Sequence, residues 1–164
     1  MADVPQMVRN ILVYVDGTEK SITAAQYAVL LAKTTHASLS AAYVINTRAL
    51  SDLVRTHIFL PEEQEEYRRD IESDSERYLK HVVQLADSKG IEISTHKRNG
   101  NVHQELKKLV DELDTDLLII GELSRIRSRR DEIFNEAERA MRNVRCSVLI
   151  VKDEDRVYDL FEAE

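Results

Sequence analysis

The segment from Asp116 to Val151 constrains the fold more tightly than any other stretch of the sequence. Asp116-Leu-Leu-Ile-Ile is a short apolar run stopping at Gly121, and Ser147-Val-Leu-Ile-Val is a second. Between them Ile133, Ala137, Ala140, Met141 and Val144 recur at helical spacing, so the order is strand, loop, helix, strand. That order belongs to a parallel sheet, in which ligands sit at the carboxyl ends of strands. The loop after Gly121, ahead of a helix N-terminus, is therefore the first candidate phosphate site.

The rest of the chain repeats the alternation. Ile11-Leu-Val-Tyr-Val is a β-branched run of the kind buried on both faces, and it ends at Asp16-Gly17. Thr18 stands where an N-cap belongs, and Ile22, Ala25, Ala28, Val29 and Ala32 mark the buried stripe of a helix reaching about His36. Ser38 to Ile45 reads as a second strand. Residues 46–61 are irregular yet carry Leu50, Leu53, Val54, Ile58, Phe59 and Leu60, too apolar for a plain solvated loop. From Glu62 a long charged helix shows the stripe Tyr67, Ile71, Ser75, Tyr78, Val82, Leu85 and Ala86, and Gly90 stops it. Ile91, Ile93 and Thr95 alternate with Glu92, Ser94 and His96, which suits an edge strand. Asn101 and Gln104 predict a capping box for a third helix with the stripe Val102, Leu106, Leu109 and Leu113.

Five strands alternating with four helices, without a linker or repeat, define one doubly wound parallel α/β domain over residues 1–151. Residues 152–164 form an acidic tail whose Val157, Tyr158, Leu160 and Phe161 suit a docking arm. A formal net charge of −7 disfavours nucleic acid and anionic membrane as partners. The single cysteine, Cys146, excludes an intramolecular disulfide and reads as a small core residue. No apolar run approaches the roughly 20 residues of a membrane span, so the cytoplasm is the expected location.

ILVYVDGTEKS followed by an alanine-rich helix, GELSRIRSRR after the fourth strand and ERAMRNVRCSVLIV at the end together resemble a universal stress protein domain. The resemblance covers nearly the whole chain. It implies the strand order 3-2-1-4-5 and a homodimer. In the nucleotide-binding branch of that family an Asp after the first strand and a Val in the second contact adenosine, and a motif GxxGx9G(S/T) wraps the phosphates. Asp16, Val44 and Gly121 match. Counting on without gaps, the second motif glycine falls on Ser124, the third on Phe134 and the closing hydroxyl residue on Asn135.

Those departures have chemical consequences. Glycine lets backbone N–H groups approach phosphate closely, and a Phe adds bulk where that approach is needed. Ser128 with Asp131 predicts an early helix cap, and Asp131 and Glu132 already satisfy the helix dipole with carboxylates. Phe134 is expected to point inward beneath the loop. Opposing this, Arg125, Arg127, Arg129 and Arg130 could bind phosphate through guanidinium groups, or could pair with Asp131, Glu132 and Glu136 on a solvated turn.

Other chemistries find little support. The five histidines, His36, His57, His81, His96 and His103, lack metal-ligand spacing, and neither GxxxxGK(S/T) nor GxGxxG occurs. Lys152 after the last strand suggests a receiver domain, but the acidic pair after the first strand is missing. The expected function is a stress-response regulatory or interaction protein, not an enzyme, with a degenerate ATP-binding motif and no cofactor. It would meet partners through residues 46–61 or the tail and dimerise through Val148, Leu149, Ile150 and Val151 of the uniformly apolar last strand. The alternative is a regulator binding ATP or AMP with Mg through Asp16, Val44, Gly121, Ser124, Arg127, Arg129 and Asn135.

Overall fold

A computed structural model describes residues 5–47, 55–56, 60–123 and 136–163. The strands are β1 (Asn10–Tyr14), β2 (Ser38–Ile45), β3 (Ile93–Asn99), β4 (Leu117–Gly121) and β5 (Ser147–Val151). All pairings are parallel, in the order β3-β2-β1-β4-β5. The described helices are α1 (Glu19–Thr35), α2 (Pro61–Ser88), α3 (Val102–Glu112), α4 (Glu136–Asn143) and α5 (Glu154–Ala163). The fifth was not expected as a helix.

The two faces of the sheet carry separate cores. Ile11, Val13 and Val15 of β1 and the residue after it pack against Ala24, Ala25, Ala28 and Val29 of α1, with Leu79, Val82 and Ala86 of α2 alongside. The small alanine side chains let α1 lie close to the sheet. On the other face Leu12, Leu118 and Ile120 meet Leu106, Leu109 and Val110 of α3 and Ala140 of α4. A fully buried leucine such as Leu118 contributes about 2 kcal/mol by removal from water.

Local details correct several expectations. Tyr67 is 44% exposed, so the buried stripe of α2 begins later, at Ile71 and Ser75. Asn101 is the N-cap of α3 but makes no side-chain cap bond, and its Oδ1 is buried without a partner among the described residues. β3 lies at the sheet edge, as its polarity suggests, but begins at Ile93 and leaves Thr95 exposed. His96, read as outward-facing, instead buries its Nε2; burial first, then Arg98, holds its pKa below the ordinary histidine value, with Glu112 opposing. Cys146 packs at the margin of the second core, and burial pushes its thiol pKa up, as befits a core residue.

Asp116 precedes β4 and does not belong to it. Its Oδ2 accepts the N–H groups of Arg9 and Asn10 at 2.9 and 3.0 Å, tying the start of β4 to that of β1. The same two bonds hold its carboxyl below the usual carboxylate range.

The tail departs furthest from expectation. Residues Glu154–Ala163 are helical, with Val157 and Phe161 2% and 5% exposed in the core shared with α1. Lys89, at the end of α2, donates from Nζ to the Phe161 carbonyl and sits 4.5 Å from the centre of its ring. Arg156 N–H donates to Asp153, which opens the helix.

Candidate functional site

The carboxyl rim of β1, β2 and β4 brings Asp16, Val44 and Gly121 to one end of the sheet. Tyr14 pairs with Ala42, and the Val15 N–H still reaches the Ala42 carbonyl at 2.9 Å. Continuing that register by two residues sets Asp16 level with Val44. Backbone groups in a parallel strand alternate sides. Ala42 faces β1, so Val44 also turns its N–H and C=O to that side, just past the end of β1. Its side chain, 5% exposed, packs with α3.

Asp16 is committed to its own loop. Oδ1 accepts both the Thr18 N–H at 3.0 Å and the Thr18 hydroxyl at 2.6 Å, an Asx-type turn. The Thr18 hydroxyl in turn accepts the Ser21 N–H at 3.2 Å, capping α1. Ser21 closes the circuit: its hydroxyl accepts the Asp16 N–H and donates to the Thr18 carbonyl.

Gly17 completes this turn at φ +86°, and Tyr78 of α2 lies against it; a Cβ there would come within 2.6 Å of the ring. Tyr78 stacks on Tyr43 with ring centres 6.4 Å apart and planes 6° from parallel. Burial first, then the charge of Asp16, pushes the Tyr43 phenol up to about 12, so it remains a neutral hydroxyl at physiological pH. These tyrosines were missed as neighbours of the site. The helical stripe included Tyr78, but only the fold reveals that it lands on Gly17.

Gly121 has a structural reason to be glycine. A Cβ there would lie 2.6 Å from the Lys20 carbonyl oxygen and 2.7 Å from its carbon, because the first turn of α1 crosses the end of β4. The next residue, Glu122, pairs with Lys20 at 3.8 Å. Both side chains are about two-fifths exposed, so the pair adds little stability, but it sets a carboxylate just beyond β4.

Ser124, Arg125, Arg127, Arg129, Arg130, Phe134 and Asn135 lie outside the described residues, as does the expected cap at Ser128 to Glu132. Most of the 46–61 segment does too. Leu60, within it, is 61% exposed beside Pro61, the first residue of α2. Among the described residues no three His, Cys, Asp or Glu side chains cluster to hold a metal, and no helix is long and apolar enough to cross a membrane.

A doubly wound domain with an acidic first-strand turn and a glycine ending its fourth strand is the architecture for which the sequence resemblance called. The sequence profile of the universal stress protein family matches residues 7–152, and the chain belongs to that family. A universal stress protein of Methanocaldococcus jannaschii is 27% identical over 148 residues, covering 89% of this chain and 83% of the relative. A family member from Burkholderia pseudomallei superimposes with a TM-score of 0.68 at 22% identity, over 90% of this chain and 98% of its own. A universal stress protein crystallised in complex with cAMP superimposes with a TM-score of 0.61 at 23% identity, over 88% and 97%. α5 lies beyond the matched residues.

Proposed function

We propose that this chain is a regulatory or interaction protein of the universal stress family, not an enzyme, which holds adenine nucleotides weakly or not at all. The observation that carries the reading is that the fold itself accounts for two of the three matching residues. Asp16 spends Oδ1 on Thr18, and Gly121 is required by the Lys20 backbone. Substitution of glycines by Ser124 and Phe134 removes about two backbone hydrogen bonds to charged phosphate, each worth roughly 1.5–3 kcal/mol. Glu122, Asp131 and Glu132 add like charge. A loss of about 3–6 kcal/mol turns a micromolar site into one of roughly millimolar affinity or weaker. Calorimetry with Mg-ATP is expected to give no saturable heat below about 1 mM; a dissociation constant under about 10 μM at moderate salt would overturn the reading.

One observation favours the other reading, a regulator binding ATP or AMP with Mg. The Val44 backbone faces the space past β1 and offers a donor and acceptor of the kind a purine edge pairs with. A solved relative with cAMP bound lends it weight. In that case Arg127 and Arg129 replace the lost amides, and binding falls with added salt and further in Arg127→Ala, Arg129→Ala.

The proposed assembly is a homodimer through β5. This strand is an edge that pairs only with β4 among the described residues, and Val148, Leu149 and Ile150 are half-buried. Val151 is 4% exposed within the protomer, so of the four interface residues only it would contribute through backbone alone. Sedimentation is expected to show a dimer at micromolar concentration that Leu149→Lys dissociates. A wild-type monomer at that concentration would sink the assignment.

A further inference from the structure

Running outward from the Gly17 turn, α2 and α5 stand on either side of the outer surface of α1 and leave an open cleft of about 860 Å³. Its floor is Ile22, Thr23 and Gln26 with Glu19 at one end; Arg77, Tyr78 and Lys80 stand on the α2 wall, and Tyr158 with Glu154 and Asp155 on the α5 wall. The walls carry opposite charge. Among the described residues no hydrogen bond or ion pair engages the side chains of Lys80, Glu154 or Asp155. Tyr158 is 56% exposed, although its neighbour Val157 is buried. An amphipathic ring held open between unpaired charges is the composition of a contact centre, since tyrosine supplies much area for little entropy and the charges set register.

We infer that this cleft is a docking surface for a partner helix bearing basic residues along one edge, an acidic residue along the other, and an apolar residue between them that seats between Tyr78 and Tyr158. Charge complementarity selects the occupant. A helix with basic side chains toward Glu154 and Asp155 and an acidic one toward Lys80 satisfies both walls, whereas a uniformly charged helix is repelled by one of them. The shape agrees, because a trough between two helices over a third has the cross-section of a seated helix. Small-molecule sites are more enclosed and more apolar than this one. The floor from Glu19 to Gln26 spans roughly 10 Å, two turns, so the contact is small and of the transient, signalling kind. The α5 wall lies beyond the residues the family profile matches, so partner choice here is set by a part of the chain outside the matched family domain. Gly17 and Tyr78 border both this cleft and the strand-end turn, so the peptide is titrated without nucleotide.

The test uses the whole protein and a labelled, stapled 14-residue helical peptide of stated pattern: Leu at the centre, two Lys on one edge, Glu on the other. Fluorescence anisotropy is expected to show saturable binding, and the Ile22 methyl resonance should move with it. Lys80→Glu reverses the unpaired charge of the α2 wall, where Arg77 is held by Asp74; it should weaken this peptide at least tenfold and strengthen a peptide with Lys on both edges. Tyr158→Ala should weaken both, with the circular dichroism of each variant unchanged. Absence of binding to the wild type up to about 1 mM, or binding indifferent to Lys80→Glu, would overturn the proposal. Dissociation of the wild-type assembly by Tyr158→Ala without peptide would assign the cleft to a second copy of the chain, and that too would overturn it.

Discussion

Gly121→Ala is expected to lower the thermal midpoint by roughly 6–12 °C, the equivalent of about 3 kcal/mol for a chain of this size. The added methyl meets Lys20 O at 2.6 Å and Lys20 C at 2.7 Å, well inside van der Waals contact. Both atoms are backbone in the first turn of α1, whose position is fixed by the Thr18 cap and by the alanine stripe on the sheet. Neither can turn aside as a side chain would, so the helix must shift or the strand end must bend. Gly90→Ala is the control: φ there is +69° with nothing within 4 Å, so only backbone strain of about 1 kcal/mol is expected. A Gly121→Ala midpoint within about 2 °C of wild type would show that α1 yields at this crossing. It would also return Gly121 to the ligand site as its only remaining explanation.

Phe161→Ala is expected to cost about 3–5 kcal/mol in urea unfolding, the range for emptying a buried aromatic site. The ring is 5% exposed, shares its core with Val157 and carries Lys89 above it. Lys89→Ala should cost less, about 1–2 kcal/mol, for one hydrogen bond to a carbonyl and a partly solvated cation–π contact. Hydrogen exchange separates a global effect from a local one. If α5 is part of the cooperative unit, amides of α1 lose protection together with those of α5. A Phe161→Ala protein within about 1 kcal/mol of wild type would make α5 a separable appendage and would weaken the cleft built on it.

The strands were legible because unbroken apolar runs such as Ile11 to Val15 have one physical meaning in a chain that alternates them with amphipathic helices. The turn at Asp16-Gly17-Thr18 was equally plain, since cap chemistry is local. What required coordinates were distances between parts far apart in sequence. Gly121 reads the same whether it serves phosphate or the backbone of Lys20. Tyr67 continues the spacing of α2 yet is 44% exposed, because spacing gives a face and not the depth to which each turn of it is buried. His96 alternates with its neighbours as a polar residue should, and alternation alone does not show that its Nε2 is buried. Asn101 and Gln104 have the spacing of a reciprocal cap, but the Asn101 side chain makes no such bond. In the tail, Val157 and Phe161 lie four residues apart, a helical signal that the surrounding acids obscured. The arginine-loop expectations, Phe134 among them, concern residues outside those described.

The placement of α5 bears on the order in which the molecule can be completed. α1 is made early, and its side toward β5 is covered by a helix separated from it by most of the chain. β1, likewise, must wait for β4 before its second edge is paired. Contacts so distant in sequence form late and slowly. During synthesis, therefore, the half of the sheet holding β1, β2 and β3 can assemble while part of the α1 surface stays bare until Phe161 has emerged. A nascent chain paused before that point exposes apolar surface, a natural target for chaperones or for premature association.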